Sequence, residues 1–212
     1  MGVRTTSWGP HAWSFLHAIA TVVPKGPLTA EFFRLLRDVL PCSYCRRSYE
    51  SFYPELRPYT KTSWELFVYK VHCRVNLKLA GQDFDKGNDM TKWMNYEPCF
   101  TSVPNRKNEI PYMESNKVSR DMCFFMYYAM YDWDKTREAN VIKWMDILAG
   151  ILASRVSYGQ AWAEAWGKGR KRMGGSLQDR LNVIRSLQSV TGSRTATFKY
   201  INAVCKKGVV GC

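Results

Sequence analysis

Pro41-Cys42-Ser43-Tyr44-Cys45-Arg46-Arg47 is the stretch on which the reading of this chain turns. It places two thiols about one helical turn apart, directly after a segment (29–40) whose Phe32, Phe33, Leu36, Val39 and Leu40 recur at helical spacing. Pro41 ends that segment, because proline disfavours the α conformation in the residue before it. From Cys42 to about Tyr53 the chain reads as the next helix, so both thiols sit at a helix N-terminus. Unpaired backbone N–H groups and the positive end of the helix dipole stabilise a thiolate there, and Arg46 and Arg47 add positive charge. Disulfide exchange needs such a lowered thiol pKa, since thiolate is both nucleophile and leaving group.

Other uses of a CxxC are weaker here. A thioredoxin-like module sets its CxxC between a strand and a helix in a βαβ pattern, whereas this one follows a helix with no strand near it. A zinc site needs four ligands, usually two such pairs. The chain has no second CxxC, CxxH or HxxxH, and His11 and His17 are six residues apart. Taken alone, the stretch is still open to a purely structural pair of cysteines.

Outward from it the pattern stays helical. Ser7-Trp8-Gly9-Pro10 reads as a helix start with Pro10 near the first helical position, where a missing N–H costs nothing. Trp13, Leu16, His17 and Ala20 then share a face until Pro24. Thr62 and Glu65 form a candidate capping box ahead of a helix that runs to Leu79, with Gly81 as its stop. Met90 to Trp93 suggests one further short turn. Three prolines, Pro98, Pro104 and Pro111, lie among polar residues and mark a linker or long loop. Beyond it, segments 119–131, 136–153, 158–166, 177–190 and 195–205 are drawn as helices. Strand alternation is weak throughout, so the class is all-α. The expected division is a domain at 1–103, a linker at 104–118 and a helical domain at 119–212.

The 212 residues can bury a real core, and 46% apolar with 23% charged residues is an ordinary globular balance. Aromatics reach 14%, which suits a packed helical core first and a planar cofactor second. Tyr127, Tyr128, Tyr131, Trp133, Trp144, Trp162 and Trp166 are assigned to such a core or to a dimer face. The net charge of +13 is uneven: +4 in residues 1–103 and +9 in 104–212. Its densest cluster, Lys168, Arg170, Lys171 and Arg172 among glycines, reads as a solvated loop. Nucleic acid, acidic proteins and an anionic membrane surface are all compatible partners for it. No run reaches the roughly 18–20 apolar residues of a spanning helix, and no signal peptide is visible. Gly2 with Thr6 matches the short myristoylation pattern. Seven cysteines, with one CxxC, fit redox chemistry better than a uniform disulfide framework.

The second informative stretch is His72-Cys73-Arg74-Val75-Asn76-Leu77-Lys78-Leu79. On a helix His72, Val75, Asn76 and Leu79 share one face, with Lys78 nearby for phosphate. His72 and Asn76 singly would read as buried helix polars satisfied by neighbours.

Together with Trp8-Gly9-Pro10-His11-Ala12-Trp13-Ser14-Phe15-Leu16-His17 and the Asp83-Phe84-Asp85 turn, these stretches resemble the Erv/ALR sulfhydryl oxidases. That family shows W-G-x-x-x-W-x-x-L-H, C-x-x-C and H-N-x-V-N-x-K-L-G in this order, across about residues 5–100. The resemblance implies a four-helix bundle with a short fifth helix holding FAD at its mouth, plus here a C-terminal helical extension. It implies that Trp8, Gly9, Trp13 and His17 line the flavin, that Tyr49 flanks it, and that His72, Val75, Asn76 and Lys78 hold the adenine and phosphate side, closed by Lys92 and Trp93. It assigns Cys45 as the flavin-proximal thiol and Cys42 as the one that exchanges with protein dithiol substrates, with electrons ending on oxygen as hydrogen peroxide.

Three positions depart from the pattern: Cys73 for Asn, Ala80 for Gly, and Lys86 where the family has a cysteine. The last leaves Cys99 without its usual partner, and Cys123 is the nearest candidate. Family members often relay electrons through a second cysteine pair, and Cys205 and Cys212 in the basic, glycine-containing tail are the candidate shuttle. A homodimer is expected from the resemblance alone. The helical addition is similar to the enzymes of large DNA viruses, which implies oxidation of virion proteins in the host cytoplasm or virion. The mitochondrial intermembrane space is the alternative, with an N-terminal cysteine-bearing segment expected in that case but not seen before Trp8. A second hypothesis, kept open by the basic second half, is a degenerate member acting as a basic scaffold or nucleic-acid-binding virion protein.

Overall fold

The computed structural model describes residues 5–57, 63–84 and 113–192. Among them the chain forms eight α-helices and no strand: α1 (Thr5–Val22), α2 (Pro27–Val39), α3 (Ser43–Leu56), α4 (Trp64–Phe84), α5 (Asn116–Tyr131), α6 (Glu138–Arg155), α7 (Gly159–Gly169) and α8 (Leu177–Val190). Short 3-10 turns at Lys135–Arg137 and Arg170–Arg172 lead into α6 and out of α7. None of these helices is long and apolar enough to cross a membrane.

Helix ends follow local chemistry, with several differences from the sequence expectation. Pro10 lies inside α1, which begins at Thr5, instead of at its first turn. α2 starts at Pro27, a favoured first position, while Thr29 is buried with its hydroxyl donating to the Pro24 carbonyl. The cap at the start of α4 is Ser63, whose Oγ accepts the Leu66 N–H at 3.2 Å; Thr62 lies outside the described residues. Gly81 does not stop α4, which runs on to Phe84; a glycine inside a helix costs only about 1 kcal/mol. The basic cluster is exposed as expected but is not a loop: it forms the end of α7 and the following 3-10 turn. Arg170 there makes a two-pronged pair with Asp146, both nitrogen–oxygen distances 2.8 Å.

Followed through their packing, the helices form a closed circuit: α1 to α5, α8, α7, α6, α2, α3, α4 and back to α1. At its centre four aromatic rings meet. Trp144 of α6 stacks on Phe32 of α2 at 4.9 Å and meets Phe15 of α1 and Phe125 of α5 edge-on, each at 6.3 Å. All four are completely buried. Each Phe contributes about 1.5–3 kcal/mol by leaving water. One continuous core therefore contains residues from both halves of the sequence, and the expected 104–118 boundary does not separate two cores. Tyr127, Tyr128, Trp144, Trp162 and Trp166 are buried in it, with Tyr131 and Trp133 packed against its edge.

The turn between α6 and α7 depends on a close approach. A Cβ at Gly159 would lie 1.9 Å from the Leu152 carbonyl oxygen, so only glycine lets α7 pack this tightly on the end of α6.

Candidate active site

Cys42 is the N-cap of α3, and its sulfur accepts the Cys45 backbone N–H at 3.2 Å. The two thiols are not joined. Their environments push them in opposite directions. The Cys42 thiol is lowered from 9.0 to about 6, first by the hydrogen bond from the Cys45 thiol, against burial, and then by the Cys45 and Tyr44 amides and the charge of Arg46. Cys45 is raised, first by holding its proton on that bond to Cys42 and then by burial. The pair thus shares one proton, with the negative charge on Cys42 at the helix end and the proton on Cys45.

Cys45 faces inward. It lines a cavity of about 140 Å³ whose walls include Trp8, Gly9 and Trp13 from α1, Tyr49 from α3, and Val75 and Lys78 from α4. Cys42 is not among the lining residues. Tyr49 is buried, and its hydroxyl donates to the Phe33 carbonyl at 2.7 Å, which fixes the ring against the cavity floor. Lys78 donates from Nζ to Ser48 Oγ at 2.6 Å and lies 4.2 Å from the centre of the Tyr44 ring. It sits on the CxxC side, around α4 from His72 and Asn76, instead of beside them.

The cavity adjoins an open groove of about 880 Å³, with Thr5, Gly9, Trp13, Val75 and Leu79 lining both. Pockets that hold cofactors span roughly 300–1,000 Å³. His17, His72 and Asn76 line the groove. His17 Nε2 and His72 Nδ1 are 3.0 Å apart, one ring donating and the other accepting, and Trp13 stacks on His72 at 4.1 Å. Burial lowers the His72 pKa to about 4, so its ring is neutral near pH 7.

A family model described as Erv1 / Alr family matches residues 10–96. Over this stretch the chain resembles the Erv1/Alr family. The chain is also similar to the mitochondrial FAD-linked sulfhydryl oxidase ERV1 of Saccharomyces cerevisiae, with 27% identity over 85 residues. That alignment covers 36% of this chain and 45% of the yeast protein, so the chain spans less than half the length of that relative. No solved structure matches the chain.

The structure brings together Trp8 and Gly9, just ahead of the matched stretch, with Trp13, His17, Cys45, Tyr49, His72, Val75, Asn76 and Lys78 within it, around the two adjoining spaces. Lys92, Trp93, Cys99, Cys205 and Cys212 lie outside the described residues. Cys73 and Cys123 are buried thiols in the described part of the chain. Sequence reasoning missed Thr5, Phe33 and Phe67, which line the inner cavity, and Lys117 of α5, which lines the groove. The aromatic spacing in α2 and α4 could have suggested Phe33 and Phe67. No local signal marks Lys117, which reaches the groove only because α5 packs along α1.

The residues present fit a flavin. Aromatic side chains line an apolar cavity, a thiol forms part of its wall, and an amide, two imidazoles and a lysine line the space outside it.

Proposed function

We propose that this chain is an FAD-dependent thiol oxidase that forms disulfides in protein substrates. The observation that carries the reading is the split between the two thiols: Cys45 lines the aromatic cavity, while Cys42 stands outside it at the helix end with the lowered pKa. FAD bound in the cavity would supply a two-electron acceptor that passes the pair to oxygen as hydrogen peroxide.

The chain's own residues perform the exchange. With Cys42 and Cys45 joined, a substrate thiolate attacks the Cys42 sulfur, and Cys45 leaves with the bonding pair. A second substrate thiolate then attacks the mixed disulfide. The substrate departs oxidised and Cys42 leaves as a thiolate, a role its helix-end position favours because a lower-pKa thiol leaves faster. Cys45 takes up one proton from solvent, so the dithiol now holds two electrons and one shared proton, with Cys45 against the acceptor's slot. Tyr49, Trp8 and Trp13 keep water from that slot, and the stacked, neutral His72 holds its shape without adding charge.

The yeast relative is named as mitochondrial, which favours the intermembrane-space alternative. Oxidation of virion proteins in a host cytoplasm rests on the helical extension and on no other feature. A homodimer and a shuttle role for Cys205 and Cys212 complete the proposal. Purified full-length protein should be yellow and should consume oxygen when given dithiothreitol or a reduced protein. Colourless protein that takes up no FAD on reconstitution would overturn the reading in favour of the scaffold hypothesis.

A further inference from the structure

Arg46 follows Cys45 directly, and its guanidinium is tied down. Its Nη1 donates to the Leu40 carbonyl at 2.7 Å and to the carboxylate of Asp132. The same Leu40 carbonyl accepts the Cys42 N–H at 2.9 Å, so it is the point on which the chain turns into the CxxC. Asp132 caps the C-terminal end of α5, well outside residues 10–96. Its carboxylate also accepts Arg137 Nη2 at 3.3 Å, and Arg137 Nη1 reaches the Asp38 carbonyl at 2.6 Å.

One carboxylate from the extension thus holds two arginines, each of which satisfies a carbonyl at the end of α2 that the helix leaves unpaired. The cluster is shielded: the side chains of Asp132, Arg137 and Arg46 are 8%, 14% and 19% exposed. Other charges face it from each side. On α2 the Asp38 carboxylate accepts Asn140 Nδ2 at 2.9 Å and lies 3.6 Å from Arg37 Nε, and Asp134 stands exposed beside Arg46 and Arg137. Charges in such a place are screened less than charges at a free surface.

We propose that Asp132, supplied by the helical extension, is a positioning residue of the Cys42/Cys45 pair: it fixes Arg46 against the Leu40 carbonyl and sets how much of that arginine's charge reaches Cys42. The inference rests on Cys42/Cys45 being the working dithiol. Arg46 is one of the groups that hold the Cys42 thiol down. Replacing Asp132 by asparagine keeps a hydrogen-bond acceptor and removes the nearest countercharge, leaving only the exposed Asp134 beside Arg46, so more of the arginine's charge reaches Cys42.

The test titrates Cys42 in the reduced full-length protein by alkylation, read peptide by peptide across pH, with thermal melts alongside. Asp132→Asn should lower the Cys42 midpoint by roughly half a pH unit, a modest shift for a charge acting through a neighbour. Arg46→Met should raise it, and the double variant should match Arg46→Met alone. Asp132→Glu should restore the wild-type midpoint. If Asp132→Asn leaves the midpoint unchanged in a folded protein, or shifts it equally without Arg46, Asp132 is only a structural tie and the proposal falls. Should Asp132→Asn not fold, Arg137→Gln decides: Asp132 then serves Arg46 alone and the midpoint must rise, but only while Arg46 is present. No rise, or the same rise in Arg46→Met, overturns the proposal. Oxygen uptake by the wild type reports separately on the oxidase reading, so either idea can fail without the other.

Discussion

Cys42 should react with an alkylating agent in a way no ordinary cysteine does. Its thiol titrates near 6 instead of 9.0. At pH 7 about 90% of it is then thiolate, against about 1% for an unperturbed thiol. Intrinsic reactivity falls with basicity, and a Brønsted slope of 0.4–0.5 over three pH units costs about 20-fold. The net gain at pH 7 is only about 4-fold, and the two curves cross near about pH 7.7, above which Cys42 is the slower thiol. The midpoint and the crossing are therefore the signature, and the bare rate is not. Reduced protein would be treated with limiting iodoacetamide from pH 4.5 to 9.5, and the Cys42 peptide followed by mass spectrometry. The rate should rise about tenfold per pH unit below 6 and plateau above 7. A Cys42 rate still climbing at pH 8.5 would refute the argument, because it would mean that neither the Cys45 thiol nor the helix amides stabilise the charge.

Cys45→Ala should move the Cys42 midpoint upward, since the Cys45 thiol is the largest influence lowering it; an unchanged midpoint in the same alkylation assay would contradict this. His72 should show no imidazole titration by NMR between pH 5 and 8, and stability should decline as the pH falls from about 6.5 towards about 4, where the unfolded chain binds a proton that the buried ring refuses. Trp144→Ala should cost about 3–5 kcal/mol in denaturant unfolding, and fluorescence and circular dichroism should still report one transition, because Trp144 joins α2 and α6 at the shared core. Gly159→Ala should destabilise the fold by at least about 1–3 kcal/mol, read as a lowered melting temperature, because the new Cβ collides with backbone and not with a movable side chain.

The site was legible in the sequence where a single helix carries the information. Cys42 and Cys45 announce a helix N-terminus through Pro41 before them and the apolar run of α2 ahead of it, and the structure has Cys42 as the N-cap. His72, Val75 and Asn76 were set on one face by spacing alone, and they line one groove. Lys78 shows the limit of that reasoning. It follows Asn76 by two residues, which on a helix turns it well away, and its ammonium goes to Ser48 and the Tyr44 ring. Helix ends were less legible, as Pro10, Ser63 and Gly81 show, because a cap or a glycine shifts the balance by only about 1 kcal/mol and packing can override it.

What the sequence determined by itself was therefore periodic and local: an all-α chain, a thiol pair with a helix dipole behind it, and aromatic residues placed to be buried. What only the tertiary structure decided was which helices meet. Residues 113–192 carry no signal that they pack on α1 and α2, yet the ring cluster around Trp144 and the pairing of Arg46 with Asp132 both come from that packing. Side-chain period along one helix says which face is apolar, and many partners can cover an apolar face. The choice among them lies in shape and in the few buried charges that must find their counterparts, and these are properties of distant residues brought together.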